Sequence, residues 1–408
     1  MAPERWLILA DDLTGAADTA IAFARAGWAA SVAWGMAVPD DAVLALDAGS
    51  RQLSARDAAA RHRALLHAHR GSHTARFKKI DSTLRGQPAA ELAASLHVLR
   101  DQGHHAFALV APAFPSQGRT TVDGRIRLHG HALEASALWA HEHSYPDADL
   151  RAVLEGEGLR VHQAPLAGVR DAPWLHRALH EAAADGADAL ICDAVTEADL
   201  AAIVHAARPM ASRLLWVGSA GLARALAGAF PGRGVPAAVP RLEGPILTVV
   251  GSFADVSRAG ARLLAADPAI LHLAIEPAVL RAGPDDAAWQ AVATRAADAI
   301  GSGRDVLAVI AAAPDIRAAE APLLAGRLAA LLRPAASGAG ALVATGGETA
   351  LALLDTCGIT GLRMLEEVEP GVPVGLARGA RAIPVITKAG AFGDAATLPR
   401  CLAHLRRP

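Results

Sequence analysis

Short, fully apolar runs recur along the whole chain, each followed by a stretch with helical spacing, and this alternation limits the fold more than any other feature of the sequence. Residues 6–10 (Trp-Leu-Ile-Leu-Ala) read as a buried strand, 15–26 as an Ala-rich helix stopped by Gly27, and 42–46 as the next strand but one. Ser54 is placed to cap a helix over 55–70, and 75–80 is again a strand. Pro88 opens a helix to about Arg100, and 107–110 is a strand running into the Pro-broken loop 111–118. Apolar strands separated by helices belong to a mostly parallel sheet covered on both faces, so the fold class is α/β.

Residues 119–171 break the rhythm. They are rich in His, Gly and charge, with Leu128-His-Gly-His131 reading as a turn between short strands, and form an insertion or a lid. Alternation resumes with a strand at 189–192, a helix from Glu197, a strand at 214–217 and a helix opened by Gly218-Ser-Ala-Gly221. Pro and Gly are densest over 231–245, which reads as an interdomain linker. Beyond it, strands are expected at 246–250, 307–311, 341–344 and 384–387. The expectation is two α/β domains, each a mostly parallel sheet flanked by helices, over 1–230 and 246–408.

Composition narrows the partners. Hydrophobic residues make up 52% of the chain, and 39 Lys and Arg balance 41 Asp and Glu, so no global positive field exists to hold nucleic acid or an anionic membrane. Seven Trp, seven Phe and one Tyr leave few stacking platforms, which favours a small polar ligand. The three cysteines, Cys192, Cys357 and Cys401, lack CxxC spacing, as expected for a reducing cytoplasm. No apolar stretch reaches about 18 residues, and the first is too short for a signal peptide, so a cytoplasmic location is expected.

Chemistry gathers at the strand ends, where ligands bind in open α/β sheets. Asp11 and Asp12 end the first strand just before a helix N-terminus. Paired carboxylates there suit orienting a hydroxyl, general-base work or Mg2+, whereas a helix cap explains one Asp and not two. Lys78-Lys79-Ile-Asp81-Ser82-Thr83-Leu-Arg85-Gly86 sets three cations around an acid and two hydroxyls at another strand end, suited to an oxyanion or a transferred phosphoryl group. Ser50-Arg51 and Gln117-Gly118-Arg119 add donors. In the second half, Gly251-Ser252, Thr345-Gly346-Gly347-Glu348-Thr349 and Lys388-Ala-Gly390-Ala-Phe-Gly393 each follow a strand and read as phosphate cradles. No Walker A motif, strand-borne GxGxxG or GxSxG occurs, and the HxH pairs His67/His69, His129/His131 and His141/His143 fall in no metal-ligand pattern.

Taken together, Ala10-Asp-Asp-Leu-Thr-Gly-Ala16, Lys79-Ile-Asp-Ser-Thr-Leu-Arg-Gly86, Ala111-Pro-Ala-Phe-Pro-Ser-Gln-Gly-Arg119, Gly251-Ser252, Thr345-Gly-Gly-Glu-Thr349 and Lys388-Ala-Gly-Ala-Phe-Gly393 resemble the four-carbon acid sugar kinase family, in family order over nearly the whole chain. The resemblance implies a two-domain kinase. Its N-terminal domain would hold a four-carbon sugar acid, D-threonate or D-erythronate rather than a 3-oxo-tetronate, and its C-terminal domain ATP with Mg2+; a homodimer is the candidate assembly. It implies a substrate site of Asp11, Asp12, Arg51, Lys79, Asp81, Ser82, Thr83, Arg85 and Arg119, and an ATP site of Ser252, Gly346, Gly347, Glu348, Thr349, Gly390 and Gly393. Gln87 and Ala254-Asp255 depart from the family pattern.

On this reading phosphoryl transfer to the C4 hydroxyl rests on positioning and charge neutralisation. Arg51 and Ser82 hold the acid, Asp12 or else Asp81 deprotonates the hydroxyl, Lys79 and Arg85 balance charge, and closure around the reactants excludes water. The rivals are a silent sugar-acid sensor, which would form no ADP, and an isomerase or dehydrogenase of phosphorylated sugar acids, which would not bind ATP.

Overall fold

The computed structural model describes residues 3–407 except 36–38, 72–73, 105, 137–138, 140–143, 314–315 and 318–319; the pair His141/His143 lies outside the described residues. Two compact units separate, one formed by 3–30 and 40–235, the other by 236–407 with the short stretch that opens at Ser31.

The first unit is built on seven parallel strands: β1 (Trp6–Ala10), β3 (Val43–Asp47), β4 (Ala75–Lys79), β5 (Phe107–Ala111), β9 (Val161–Ala164), β10 (Ala189–Cys192) and β11 (Leu214–Gly218), in spatial order β3-β1-β4-β11-β5-β10-β9. β1 and β3 run in register from Trp6 opposite Val43 to Ala10 opposite Asp47, so their carboxyl ends lie side by side. β1 is buried throughout, and Trp6 packs tilted against Phe23 and Phe230 with ring centroids 5.0 and 5.9 Å away. Three helices matter for the site: α1 (Leu13–Arg25), α2 (Ala55–Ala68) and α3 (Pro88–Asp101). α2 and α3 open as the sequence predicts, with Ser54 capping α2 and Pro88 in the first turn of α3, whereas α1 opens two residues before the expected Gly15, at Leu13 under an Asp12 cap.

The stretch that broke the alternation folds into a three-stranded antiparallel sheet of β6 (Arg119–Val122), β7 (Arg125–Leu128) and β8 (His131–Ala132). It is pinned to the main sheet by Asp193, after β10, whose carboxylate accepts the backbone N–H groups of Asp123 and Gly124 at 2.7 and 2.9 Å.

The second unit has its own sheet. β12 (Ile246–Val250), β13 (Leu271–Ile275), β14 (Val306–Ile310), β15 (Ala341–Thr345) and β18 (Pro384–Lys388) are parallel in the order β13-β14-β12-β15-β18. The antiparallel hairpin β16 (Ile359–Glu369) and β17 (Val372–Gly379) extends it, turning at Pro370-Gly371. Strand β2 (Ala30–Ala33), although it lies within the first 230 residues, pairs antiparallel with β16, and Trp34 then donates its indole N–H to Asp355 at 2.6 Å. Among the described residues no helix is long and apolar enough to cross a membrane.

Candidate active site

The loop after β3 is laced onto the end of β1. Ala48 N–H donates to the Ala10 carbonyl at 2.8 Å, and the Ser50 and Arg51 N–H groups donate to the Asp11 carbonyl at 3.0 and 3.2 Å. This fixes Arg51 over the two aspartates that follow β1. Its guanidinium donates Nε and Nη2 to the two oxygens of Asp11 at 2.7 and 3.1 Å and Nη1 to Asp12 Oδ2 at 2.7 Å, and its Nη2 lies 3.4 Å from Asp81 Oδ2. One planar fork thus serves three carboxylates, which a lysine could not do.

Both aspartates therefore have a place, and they differ. Asp11 is buried and, among the described residues, its carboxylate bonds Arg51 alone, whereas Asp12 also caps α1, accepting Gly15 N–H at 2.9 Å on one oxygen and the Thr14 hydroxyl at 2.7 Å on the other. Burial opposes ionisation of Asp11, but the Arg51 charge and hydrogen bonds, aided by Lys78 and Lys79, outweigh it and hold the carboxyl below the usual range. Asp81 is held well below its ordinary value too, with burial overcome by Arg85, Arg51 and Lys79. Arg51 in turn stays well above its ordinary value despite burial, because three anions face it.

The loop after β4 folds tightly around Asp81. Its Oδ1 accepts the backbone N–H of Thr83 at 2.8 Å and also the Thr83 hydroxyl, and its Oδ2 accepts Arg85 Nη2 at 2.7 Å. Leu84 sits at φ +58° and Gly86 at φ +78°, so the turn uses left-handed backbone twice in three residues. A side chain at Gly86 would also place its Cβ 3.1 Å from Asp11 Oδ2, so glycine is required there for conformation and for space. Ser82 and Thr83 are buried in the same loop, and Arg119 reaches its field, since Asp81 and Asp18 act on it. The Lys79 ammonium lies 3.0 Å from where a Cβ on Gly15 would stand, and among the described residues no hydrogen bond holds it.

The second lysine of this motif does something else. Lys78 is fully buried and pairs with Glu91 of α3 at 2.7 Å, while Glu91 Oε1 accepts the Ser50 hydroxyl at 2.5 Å. Beside this pair, burial and the Lys78 charge push the His62 imidazole down to about 4 and keep it neutral. The network joins β4, α3 and the Arg51 loop from beneath. Glu91→Gln keeps the shape but weakens two charge-assisted bonds, so a loss of about 1–3 kcal/mol in unfolding free energy is expected, checked by urea titration.

Two residues here carry no motif. Glu91 lies in a helix whose sequence reads as ordinary. Asp47 ends β3 opposite Ala10, and its only signal was an acid at a strand end. It is buried, accepts Gly49 N–H at 2.7 Å on Oδ1, and is pushed up to about 7 by burial and then by the Asp12 and Asp11 charges.

In the second unit, the neighbouring strands β12, β15 and β18 bring three turns together. A Cβ on Gly251 would fall 1.9 Å from the Thr349 hydroxyl, and one on Gly390 would fall 2.1 Å from the Ser252 hydroxyl, so both glycines make room for close packing of the turns. Gly346 N–H donates to the Lys388 carbonyl at 2.9 Å, and Gly346, which has no side chain to cap with, precedes the helix Gly347–Thr356 that carries Glu348 and Thr349 in its first turn. A helix start flanked by glycines suits phosphate oxygens. Lys388 is buried and locks the last turn, donating to Ser257 Oγ and to the carbonyls of Ala389, Gly390 and Phe392 at 2.8–3.0 Å. Gly393 stands apart from Ser252, against Thr397 and Glu369. Among the described residues no cluster of three or more His, Cys, Asp or Glu could hold a metal.

These two units match known domains. A sugar-binding N-terminal domain corresponds to residues 6–226 and a nucleotide-binding C-terminal domain to 247–398, which defines a sugar kinase. The chain is 42% identical to a D-threonate kinase of Cupriavidus necator, over 96% of each chain. It is 34% identical to a D-threonate kinase of Bordetella bronchiseptica, over 98% of this chain and 97% of that one, and 31% identical to a 3-oxo-tetronate kinase of Methylobacterium radiotolerans, over 97% of each. The chain belongs to the four-carbon acid sugar kinase family and is a sugar-acid kinase. Its fold also recurs in a solved structure from Salmonella typhimurium LT2, with TM-score 0.82 at 22% identity over 97% of this chain and 98% of that one.

Proposed function

We propose that the protein transfers the γ-phosphoryl group of ATP to the C4 hydroxyl of D-threonate, giving the 4-phosphate and ADP. The observation that carries the acceptor side is the Arg51 fork, which fixes Asp11, Asp12 and Asp81 in one charged cradle beside the Lys79 ammonium. The choice of D-threonate rests on the 42% identical D-threonate kinase. Lys79, Arg85 and Arg119 receive the acid's carboxylate and the charge that builds during transfer. Ser82 and Thr83 contact its hydroxyls, and Asp12 orients the acceptor hydroxyl.

On the donor side, Ser252 and the start of the helix Gly347–Thr356 hold the phosphates, and Gly390 keeps the third turn close to Ser252. Mg2+ entering with the nucleotide would supply neutralisation of phosphate charge. Gly251→Ala, which drives a methyl group into Thr349, is expected to raise KM for ATP by on the order of tenfold while the affinity for the sugar acid stays the same, read by initial rates and by calorimetry with the acid alone.

The deciding experiment is ADP release with MgATP against D- and L-threonate, D- and L-erythronate and longer aldonates, with an acid-free blank. Turnover confined to D-threonate is expected. Turnover of another C4 acid instead would reassign the substrate, and ADP release at the blank level with every acid would remove the kinase reading for these substrates.

A further inference from the structure

Four carboxylates converge on the ends of β1, β3 and β4, and they are not equivalent. Asp11, Asp12 and Asp81 have both oxygens occupied by Arg51, Arg85, the α1 N-terminus, or the Thr14 or Thr83 hydroxyl. Their oxygens are already engaged, and Asp11 and Asp81 are held below the usual carboxylate range. Asp47 accepts one backbone N–H on Oδ1, and among the described residues no hydrogen bond reaches its Oδ2.

We infer that Asp47 is the residue that takes the proton from the attacking hydroxyl. The inference rests on the kinase reading above and adds to it a residue outside every motif. In the transfer step the acceptor O–H bond breaks as its oxygen bonds the γ-phosphorus, the bond from that phosphorus to the leaving ADP oxygen breaks, and the proton passes to Asp47 Oδ2 and later to solvent.

Position and environment agree. The β1–β3 register sets Asp47 opposite Ala10, immediately before the Asp11–Asp12 pair, and the clasp of residues 48–51 onto β1 holds it there. The charged groups that act on it are Asp12 and Asp11 beyond β1 and Arg51 in its own loop. The packed helix α1 carries Asp18, which lies 3.7 Å from Arg224, and Arg25, in its last turn and so at the end away from the site. Burial and the two neighbouring anions outweigh Arg51, so Asp47 titrates near neutrality, where a general base works best.

The test uses the full-length enzyme, MgATP and whichever C4 acid the wild type turns over. Asp47→Asn is expected to lower kcat on the order of 10²- to 10³-fold and to abolish the acidic limb of the kcat–pH profile near pH 7, with the affinity for the acid held within about threefold. Asp47→Glu should recover part of the rate with a displaced limb. An Asn variant that keeps the wild-type rate, or one that is slow yet retains the limb unmoved, overturns the assignment. If the wild type itself releases no ADP with any C4 acid, the kinase reading fails and takes this inference with it, an outcome the wild-type control alone distinguishes.

Discussion

Replacing Arg51 by methionine is expected to lower the unfolding free energy of the first unit by about 3–5 kcal/mol at pH 7, because it removes the shared partner of three acids and leaves charge buried. Asp11 suffers most, since among the described residues Arg51 makes all of its side-chain hydrogen bonds and Asp11 is only 2% exposed. The pH dependence gives the cause away. In the wild type Asp11 and Asp81 titrate below their unfolded values, so their stabilisation is present above about pH 4 and is lost as pH falls through the folded values. In the variant, burial dominates at Asp11 and pushes it upward, so the deficit should be greatest at neutral pH and shrink towards pH 4. Urea titrations at pH 4, 5.5 and 7 read this directly. A deficit independent of pH would mean that lost packing, not stranded charge, explains the effect. Arg51→Lys should restore part of the stability at pH 7, since an ammonium answers one carboxylate well but cannot span three. Neither variant should keep appreciable turnover.

The strand-end chemistry was legible because each of its motifs sits next to its own strand. Asp12 as helix cap, the polar loop around Asp81 and the glycine turns after β12, β15 and β18 all follow from local spacing, and local spacing is what an apolar run followed by helical periodicity encodes. What distance in sequence conceals is pairing. Lys78 and Lys79 are adjacent and chemically identical, yet strand alternation sends one inward to Glu91 on α3 and leaves the other beside Gly15. Nothing in the run Lys-Lys-Ile-Asp says which is which, because the answer depends on an acid in another element. The same holds for β2, whose four residues give no sign that their partner is β16 more than 300 positions away, and for the β16–β17 hairpin, whose antiparallel pairing departs from the parallel rhythm around it. Asp47 was hidden for a different reason. An Asp closing a strand is ordinary, and only the register with β1, which sets it beside Ala10 just before the Asp11–Asp12 pair, brings it into the field of two further carboxylates.

That juxtaposition makes Asp47→Asn a stabilising change at alkaline pH. A buried aspartate raised from an ordinary value to about 7 binds its proton more tightly in the folded chain than in the unfolded one, so its contribution is complete below about pH 4 and is lost as pH rises through about 7. A rise of that size corresponds to about 4 kcal/mol, which sets the upper scale of the difference expected at pH 8. Asparagine matches the shape, keeps an oxygen for Gly49 N–H and carries no charge, so its stability curve should lack this slope. The two proteins should therefore melt alike at pH 4 and diverge steadily above pH 5, with the variant the more stable. Thermal melting across pH 4–8 checks this without any substrate. A variant less stable than the wild type at pH 8 would mean that the ionised carboxylate is well solvated there, which would place Asp47 in a wetter site than its burial indicates. A variant that is slow in turnover yet more stable at pH 8 would instead mark a group kept at the expense of stability, as expected where buried like charges are held together for chemistry.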